Sequence, residues 1–246
     1  QTLGEHMLLR LPARRPEADQ IRHAVFDFDG TLSLLRAGWQ QIMISYFDEV
    51  LTATGADETP TDRRQLCIDF ITRLTGRQTI YQCMELAQQV SIRGGDALAA
   101  DEYKAEFLRR LHEHIDHRRT AIVSGQSPLP FLVSGTLELL DRLHEKGIVC
   151  YLASGTDVDY VREEAALLGV DRFFAEDGQP PRIYGALADY QKFSKRMVIE
   201  TILAENHLDG TALVGFGDGY VEIEETLRAG GWAVAIASDE THVDVE

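Results

Sequence analysis

Two aspartates one residue apart stand in the segment Asp27-Phe28-Asp29-Gly30-Thr31, at the end of an apolar run that begins at His23. If that run is a strand, residues two apart point to the same side, and both carboxylates converge beyond its carboxyl end. Two anions so close repel unless a cation or a shared proton intervenes, so the pair implies a metal ion or acid–base work. The same letters also suit a plain Asp-Gly turn after an edge strand.

Three more clusters extend that chemistry. Ala153-Ser154-Gly155-Thr156 offers hydroxyls and glycine N–H groups at a strand-to-helix junction, donors suited to a phosphoryl oxygen, although Ser154 or Thr156 equally suits a helix cap. Ser194-Lys195 opens an apolar-periodic stretch; a cation at a helix N-terminus is disfavoured by the macrodipole and calls for a compensating anion. Lys192, one turn earlier, competes with it, and a solvated role is open to either lysine. Gly215-Phe216-Gly217-Asp218-Gly219 places Asp218 among glycines at the end of another apolar run, which suits a hard, oxygen-ligated cation such as Mg²⁺ or, again, a turn. Glu222 follows, either as a first-turn helix acid or as part of the site.

For these residues to meet, strand ends must be carried to one place. Apolar runs at residues 23–28, 148–153, 212–216 and 232–237 read as strands. Helix-period stretches lie between them: 136–145 with Leu137, Leu139, Leu140 and Leu143, 158–168 with Val161, Ala165 and Leu168, and 194–206 with Val198, Ile202 and Leu203. Strands alternating with amphipathic helices predict an α/β fold, a Rossmann-like parallel sheet with helices on both faces. One long interval breaks the alternation. Helical periodicity recurs at 39–51, 62–74, 79–90 and 97–117 with no convincing strand, so residues 34–128 are expected to be an all-helical insertion. Residues 1–33 and 129–246 then form the two parts of the core. Gly38, Pro128 and Pro130 punctuate the ends of the insertion, where a hinge could sit; a helical flank packed permanently on the sheet is the alternative.

Composition narrows the partners. Forty acidic against 24 basic residues give a net charge of -16, which repels nucleic-acid phosphates and anionic lipid, so any phosphate ligand must meet a local positive site. With 246 residues and 44% hydrophobic content, the chain can bury one core and a smaller accessory one. Cys67, Cys83 and Cys150 show neither CxxC spacing nor a zinc pattern with histidine, and are expected to be buried free thiols. No apolar run approaches the ~20 residues of a membrane span, and no charged segment followed by an apolar one opens the chain, so cytoplasmic placement is the expectation. Oligomeric state is not legible here.

Taken in order, Asp27-Phe28-Asp29-Gly30-Thr31, Ser154-Gly155-Thr156, a lysine and Gly217-Asp218 resemble the four motifs of the haloacid dehalogenase (HAD) superfamily. The resemblance implies a phosphatase acting on a small phosphorylated metabolite, with Asp27 as nucleophile and Asp29 as general acid and base. It implies Mg²⁺ held by Asp27, the Asp29 backbone carbonyl and Asp218, and phosphate bound by Thr31, Ser154, Gly155 and Lys195. Lys195 fits the spacing to Asp218 better than Lys192 does. Glu222 stands where many members have aspartate, which leaves its share in the metal's outer shell open. The insertion corresponds to a C1 cap, in which Trp39, Arg77, Gln78, Tyr81 and Gln82 combine stacking surface with polar ends and are candidate specificity residues, or else cap-core residues. Residues 27–39, 75–84, 183–186 and 216–225 are further similar to bacterial HAD hydrolases associated with carbohydrate kinases, which points to a sugar phosphate. A phosphomutase and a non-catalytic phosphometabolite-binding module are the rival functions. Similar proteins continue with another helix and strand, so truncation at the C-terminal end is expected.

Overall fold

Five strands form one parallel sheet in a computed structural model that describes residues 16, 17, 19–176 and 178–238. They are β1 (His23–Phe26), β2 (Val149–Asp157), β3 (Ile183–Ala186), β4 (Leu213–Gly217) and β5 (Trp232–Ala235), in the order β3-β2-β1-β4-β5. Residues 1–15, 18, 177 and 239–246, which the expected core boundaries include, lie outside the described residues. All four residues of β1 are buried, because a central strand covered on both faces has no reason to alternate with polar residues.

Successive residues still sort to opposite faces. Ala24, Phe26, Cys150, Leu152, Val214 and Phe216 pack with Leu140 of α5 (Thr136–Glu145) and with Val161 and Ala165 of α6 (Val158–Leu167). Val25, Tyr151, Ala153 and Leu213 pack with Val198, Ile199 and Ile202 of α7 (Lys195–Glu205). The rings of Phe26 and Phe216 stack at 4.6 Å on neighbouring strands. The chain builds outward from β1 to β3 and then crosses back to β4, so β1 and β4 flank the switch point where parallel sheets place ligands.

Four helices are inserted between β1 and β2: α1 (Trp39–Thr52), α2 (Pro60–Leu74), α3 (Thr79–Ile92) and α4 (Ala100–Val123). They own a separate core in which Phe47, Phe70, Ile71, Leu86, Phe107 and Ile115 meet, with Phe47 and Phe70 stacked at 5.7 Å. Local chemistry sets the start of α2, where Thr59 accepts a hydrogen bond from Asp62 N–H and Pro60 occupies the first turn. The first linker is gripped from α4: the buried Arg118 donates to Leu35 O at 2.9 Å and Ala37 O at 2.8 Å.

Two elements depart from expectation. β3 had no strand reading, being four residues that include Tyr184 and Gly185. β2 continues through Ser154, Gly155 and Thr156 to Asp157, where the strand was expected to have ended at 153 in a strand-to-helix junction, with irregular register against β3. α8 (Tyr220–Arg228) follows Asp218 and carries Glu222 in its first turn, in keeping with the helix-acid reading of that residue. Cys67, Cys83 and Cys150 are buried free thiols, as expected. Among the described residues no helix is long and apolar enough to cross a membrane.

Candidate active site

Asp27 lies one residue beyond β1 but remains tied to the sheet, its N–H donating to Phe216 O at 2.9 Å. Its carboxylate is buried; Oδ1 accepts from Phe28 N–H at 2.8 Å and Oδ2 is 2.8 Å from Lys195 Nζ. Lys195 opens α7 behind the Ser194 cap and reaches a second carboxylate as well, Glu222 Oε2, at 2.8 Å. Glu222, in the first turn of α8, spends its other oxygen on Gly219 N–H at 2.7 Å. The anion that the sequence required beside a helix-opening lysine is therefore supplied twice.

Asp218 completes the cluster: one oxygen from each of Asp27, Asp218 and Glu222 lies within 4.8 Å of the others. Gly30, at φ +76°, lets Asp218 approach; a Cβ there would lie 2.3 Å from Asp218 Oδ2. Three carboxylates share one ammonium, and the electrostatics show it. Burial pushes Asp27 well above the ordinary carboxylate range, Glu222 and Asp218 add to the rise, and Lys195 opposes it. Asp218 is exposed as a residue, but its carboxyl is tucked against Gly30, and desolvation, then Glu222, push it up to about 6. Burial alone would raise Glu222, yet Lys195 outweighs it and holds that carboxyl low. The same two anions, Asp27 and Glu222, raise Lys195 against its own burial. Such an excess of hard-oxygen negative charge fits a divalent cation such as Mg²⁺.

Asp29 faces the same cavity. Its Oδ2 accepts from Thr156 Oγ1 at 2.8 Å, while the buried Oδ1 has no hydrogen-bond partner among the described residues. Arg36 Nε stands 3.9 Å from that oxygen but is committed elsewhere, bidentate to the fully buried Glu164 at 2.8 Å and 2.8 Å. Burial raises the Asp29 carboxyl; Arg36 opposes the rise and Glu164 supports it.

The cavity brings together most of the residues singled out by sequence: Asp27, Asp29, Ser154, Gly155, Lys195 and Asp218 from the sheet side, Trp39, Arg77 and Gln82 from the helical insertion. Ser154 Oγ accepts from Thr156 N–H at 3.1 Å. The insertion presses close at Gly155, where an added Cβ would lie 2.4 Å from Arg77 O. Thr31 is buried beside the cavity, not on its wall, and its Oγ1 has no partner among the described residues. Gln78 and Tyr81 are off the wall too: Gln78 binds core carbonyls, and Tyr81 packs edge-on against Tyr190 at 5.6 Å. Lys192 is exposed and pairs with Asp189 at 3.2 Å.

Sequence reasoning missed Arg36 and Glu164, which are 128 positions apart and carry no local signal. It also missed Thr79, Phe107 and Leu111 on the insertion's wall. For Thr156 the cap reading does not hold, because α6 begins at Val158 after Asp157 and has no side-chain cap bond.

Residues 24–221 match the model of the haloacid dehalogenase-like hydrolase family. Among solved structures, the chain superposes on a predicted phosphoglycolate phosphatase from Haemophilus somnus 129PT, with 16% identity, 92% of this chain and 90% of that one covered, and a TM-score of 0.57. It superposes on a HAD hydrolase, family IA, variant 3, from Entamoeba histolytica HM-1:IMSS, with 18% identity over 90% and 86% of the chains and a TM-score of 0.56. A third is CbbY from Rhodobacter sphaeroides in complex with phosphate, at 18% identity, 92% and 90% coverage and a TM-score of 0.54. At these identities the likeness is one of fold. No curated protein sequence gives a significant match.

Proposed function

The chain belongs to the haloacid dehalogenase-like hydrolase family, and on that premise we propose that it is a phosphatase hydrolysing the monoester of a small phosphorylated metabolite, with Asp27 as nucleophile and Asp29 as general acid and base. The observation that carries this reading is the second carboxylate: Asp29 is half-buried and lines the same cavity as Asp27, held by Thr156, with its buried Oδ1 left without a hydrogen bond among the described residues. A reaction that displaces a good leaving group from carbon has no use for such an acid, whereas an alkoxide leaving phosphorus needs a proton.

In this mechanism an Asp27 oxygen attacks phosphorus in line and the ester P–O bond breaks as Asp29 gives its proton to the departing oxygen. Asp29, now ionised, takes a proton from water as the water attacks the same phosphorus. The P–O bond to Asp27 then breaks, and phosphate and the starting carboxylate are restored. The raised Asp29 carboxyl suits both duties, holding a proton in the first step and accepting one in the second. Lys195, Ser154 and the Gly155 N–H, which line the cavity, are assigned to the non-reacting phosphoryl oxygens. Asp27, Asp218 and the Asp29 carbonyl would hold Mg²⁺, with Glu222 behind them keeping Lys195 in place. The ion would supply the positive charge that lets an anionic nucleophile meet an anionic phosphate.

Residues 34–128 act here as a cap that excludes water and reads the leaving group. Its wall pairs the apolar faces of Trp39, Phe107 and Leu111 with the polar ends of Thr79, Gln82 and Arg77. That mixture suits a compact polyol such as a sugar. The test is a screen of phosphorylated metabolites with and without Mg²⁺, comparing wild type with Asp27→Asn. Metal-dependent phosphate release lost in the variant is expected. Release that persists in Asp27→Asn would overturn the assignment, and transfer to a second sugar phosphate in preference to water would make the protein a mutase.

A further inference from the structure

Gln78 stands at the N-cap position of α3, yet its side chain caps nothing there. It is 4% exposed, and its Nε2 donates at 2.8 Å to Tyr190 O and at 2.8 Å to Phe193 O. One carboxamide nitrogen has two hydrogens, and here both leave the cap for the core segment between β3 and α7. That segment runs straight into the site. Phe193 is buried beside Val198 and Ile199, Ser194 accepts from Met197 N–H to start α7, and Lys195 comes next with its ammonium on Asp27.

The other half of the carboxamide sharpens the point. Gln78 Oε1 is buried with no hydrogen-bond partner among the described residues, which is a cost that an apolar side chain of the same length would avoid. What glutamine supplies at this position is the pair of donors. Its neighbour Arg77 presents the backbone oxygen that closes over Gly155, so the clamp and the roof of the cavity are consecutive residues of one loop.

We propose that Gln78 is a positioning residue that couples cap closure to the placement of Lys195. With the cap closed, the carboxamide fixes the two carbonyls just ahead of the lysine. With the cap lifted, both carbonyls turn to water, the 190–193 turn loosens, and Lys195 loses its fixed approach. The catalytic consequence rests on the phosphatase reading; the clamp itself does not.

Two variants separate these parts. Gln78→Met keeps the bulk and removes the donors, while Gln78→Glu turns an acceptor toward two carbonyl oxygens. Hydrogen exchange read by mass spectrometry reports on residues 187–195 directly, because Gln191 and Lys192 N–H groups are bonded within that turn. Exchange there should accelerate about tenfold in Gln78→Met and further in Gln78→Glu, with α1–α4, β1 and β4 at wild-type rates. On a phosphomonoester substrate, kcat should fall about tenfold while KM stays within about twofold. Unchanged exchange at 187–195, or equal acceleration throughout the chain, overturns the clamp. A loss confined to KM overturns the link to Lys195. If the wild type turns over no phosphomonoester but the localised exchange effect appears, the phosphatase reading fails and the clamp stands.

Discussion

Substituting Gly155 by alanine tests how tightly the cap must close. The added Cβ would lie 2.4 Å from Arg77 O and 2.9 Å from Arg77 C, against the 3.4 Å at which ordinary contact begins. Gly155 is not in the left-handed region, so its own strand accepts alanine without backbone strain. The conflict is with the facing loop alone, which must retreat by about 1 Å. Misplacement on that scale costs about 10²-fold in rate when it separates substrate-positioning groups from the reacting centre, whereas overpacking at the contact costs about 1–3 kcal/mol of stability. The assay is kcat/KM for phosphate release beside a urea denaturation curve. A fall of about 10²-fold in kcat/KM with the core still folded is expected, and a larger fall in Gly155→Val. Because the obstructing atom is backbone, adding Arg77→Ala should rescue nothing. Wild-type kcat/KM in Gly155→Ala would refute the reasoning.

Two further substitutions test the buried charges. Lys195→Met strands Asp27 and Glu222, and urea denaturation with chelator present should show about 3–5 kcal/mol lost near neutral pH. Glu222 titrates below its ordinary 4.5 when folded, so its contribution is present above about pH 4.5 and disappears as pH falls through the lower folded value. Lys195 titrates above its ordinary 10.5, so its contribution is complete below that pH and is lost as pH rises through the folded value. The penalty of Lys195→Met should accordingly shrink in acid; a penalty that grows there would contradict the pairing. Arg36→Met leaves the fully buried Glu164, among the described residues, with Arg119 at 3.8 Å as its one cation, and should cost about 3–5 kcal/mol. Arg36→Met/Glu164→Met should recover most of that, and a double variant as unstable as the single one would remove the pair from the account.

The parts of this architecture legible in sequence are those that local physics fixes. α5 spans the residues its leucine periodicity predicts, and α1–α3 begin or end within two residues of expectation. The aspartate motif could be read because its spacing, strand and turn all lie in one stretch of chain. β3 was illegible for the opposite reason: four residues have no room for a period, and the strand exists because β2 is beside it. β2 was cut short because Ser154-Gly155-Thr156 has loop composition, while the strand runs on past it to pair again with β3 at Asp157. Gln78 and Tyr81 were singled out as candidate specificity residues and lie off the cavity wall, because whether a polar-tipped residue meets a ligand or another part of the chain depends on which loop faces it. Arg36 and Glu164 show the same limit, since a buried ion pair across 128 residues is a property of the closed fold alone.

The account turns on Asp27 forming a bond to phosphorus, and the most direct measurement is to catch it. Wild-type protein quenched in acid during turnover of its best phosphomonoester, then reduced with borohydride and digested, should yield homoserine at position 27 in proportion to enzyme-bound phosphate. Full phosphate release with an unmodified Asp27, or the label recovered on another residue, would contradict the mechanism at its centre.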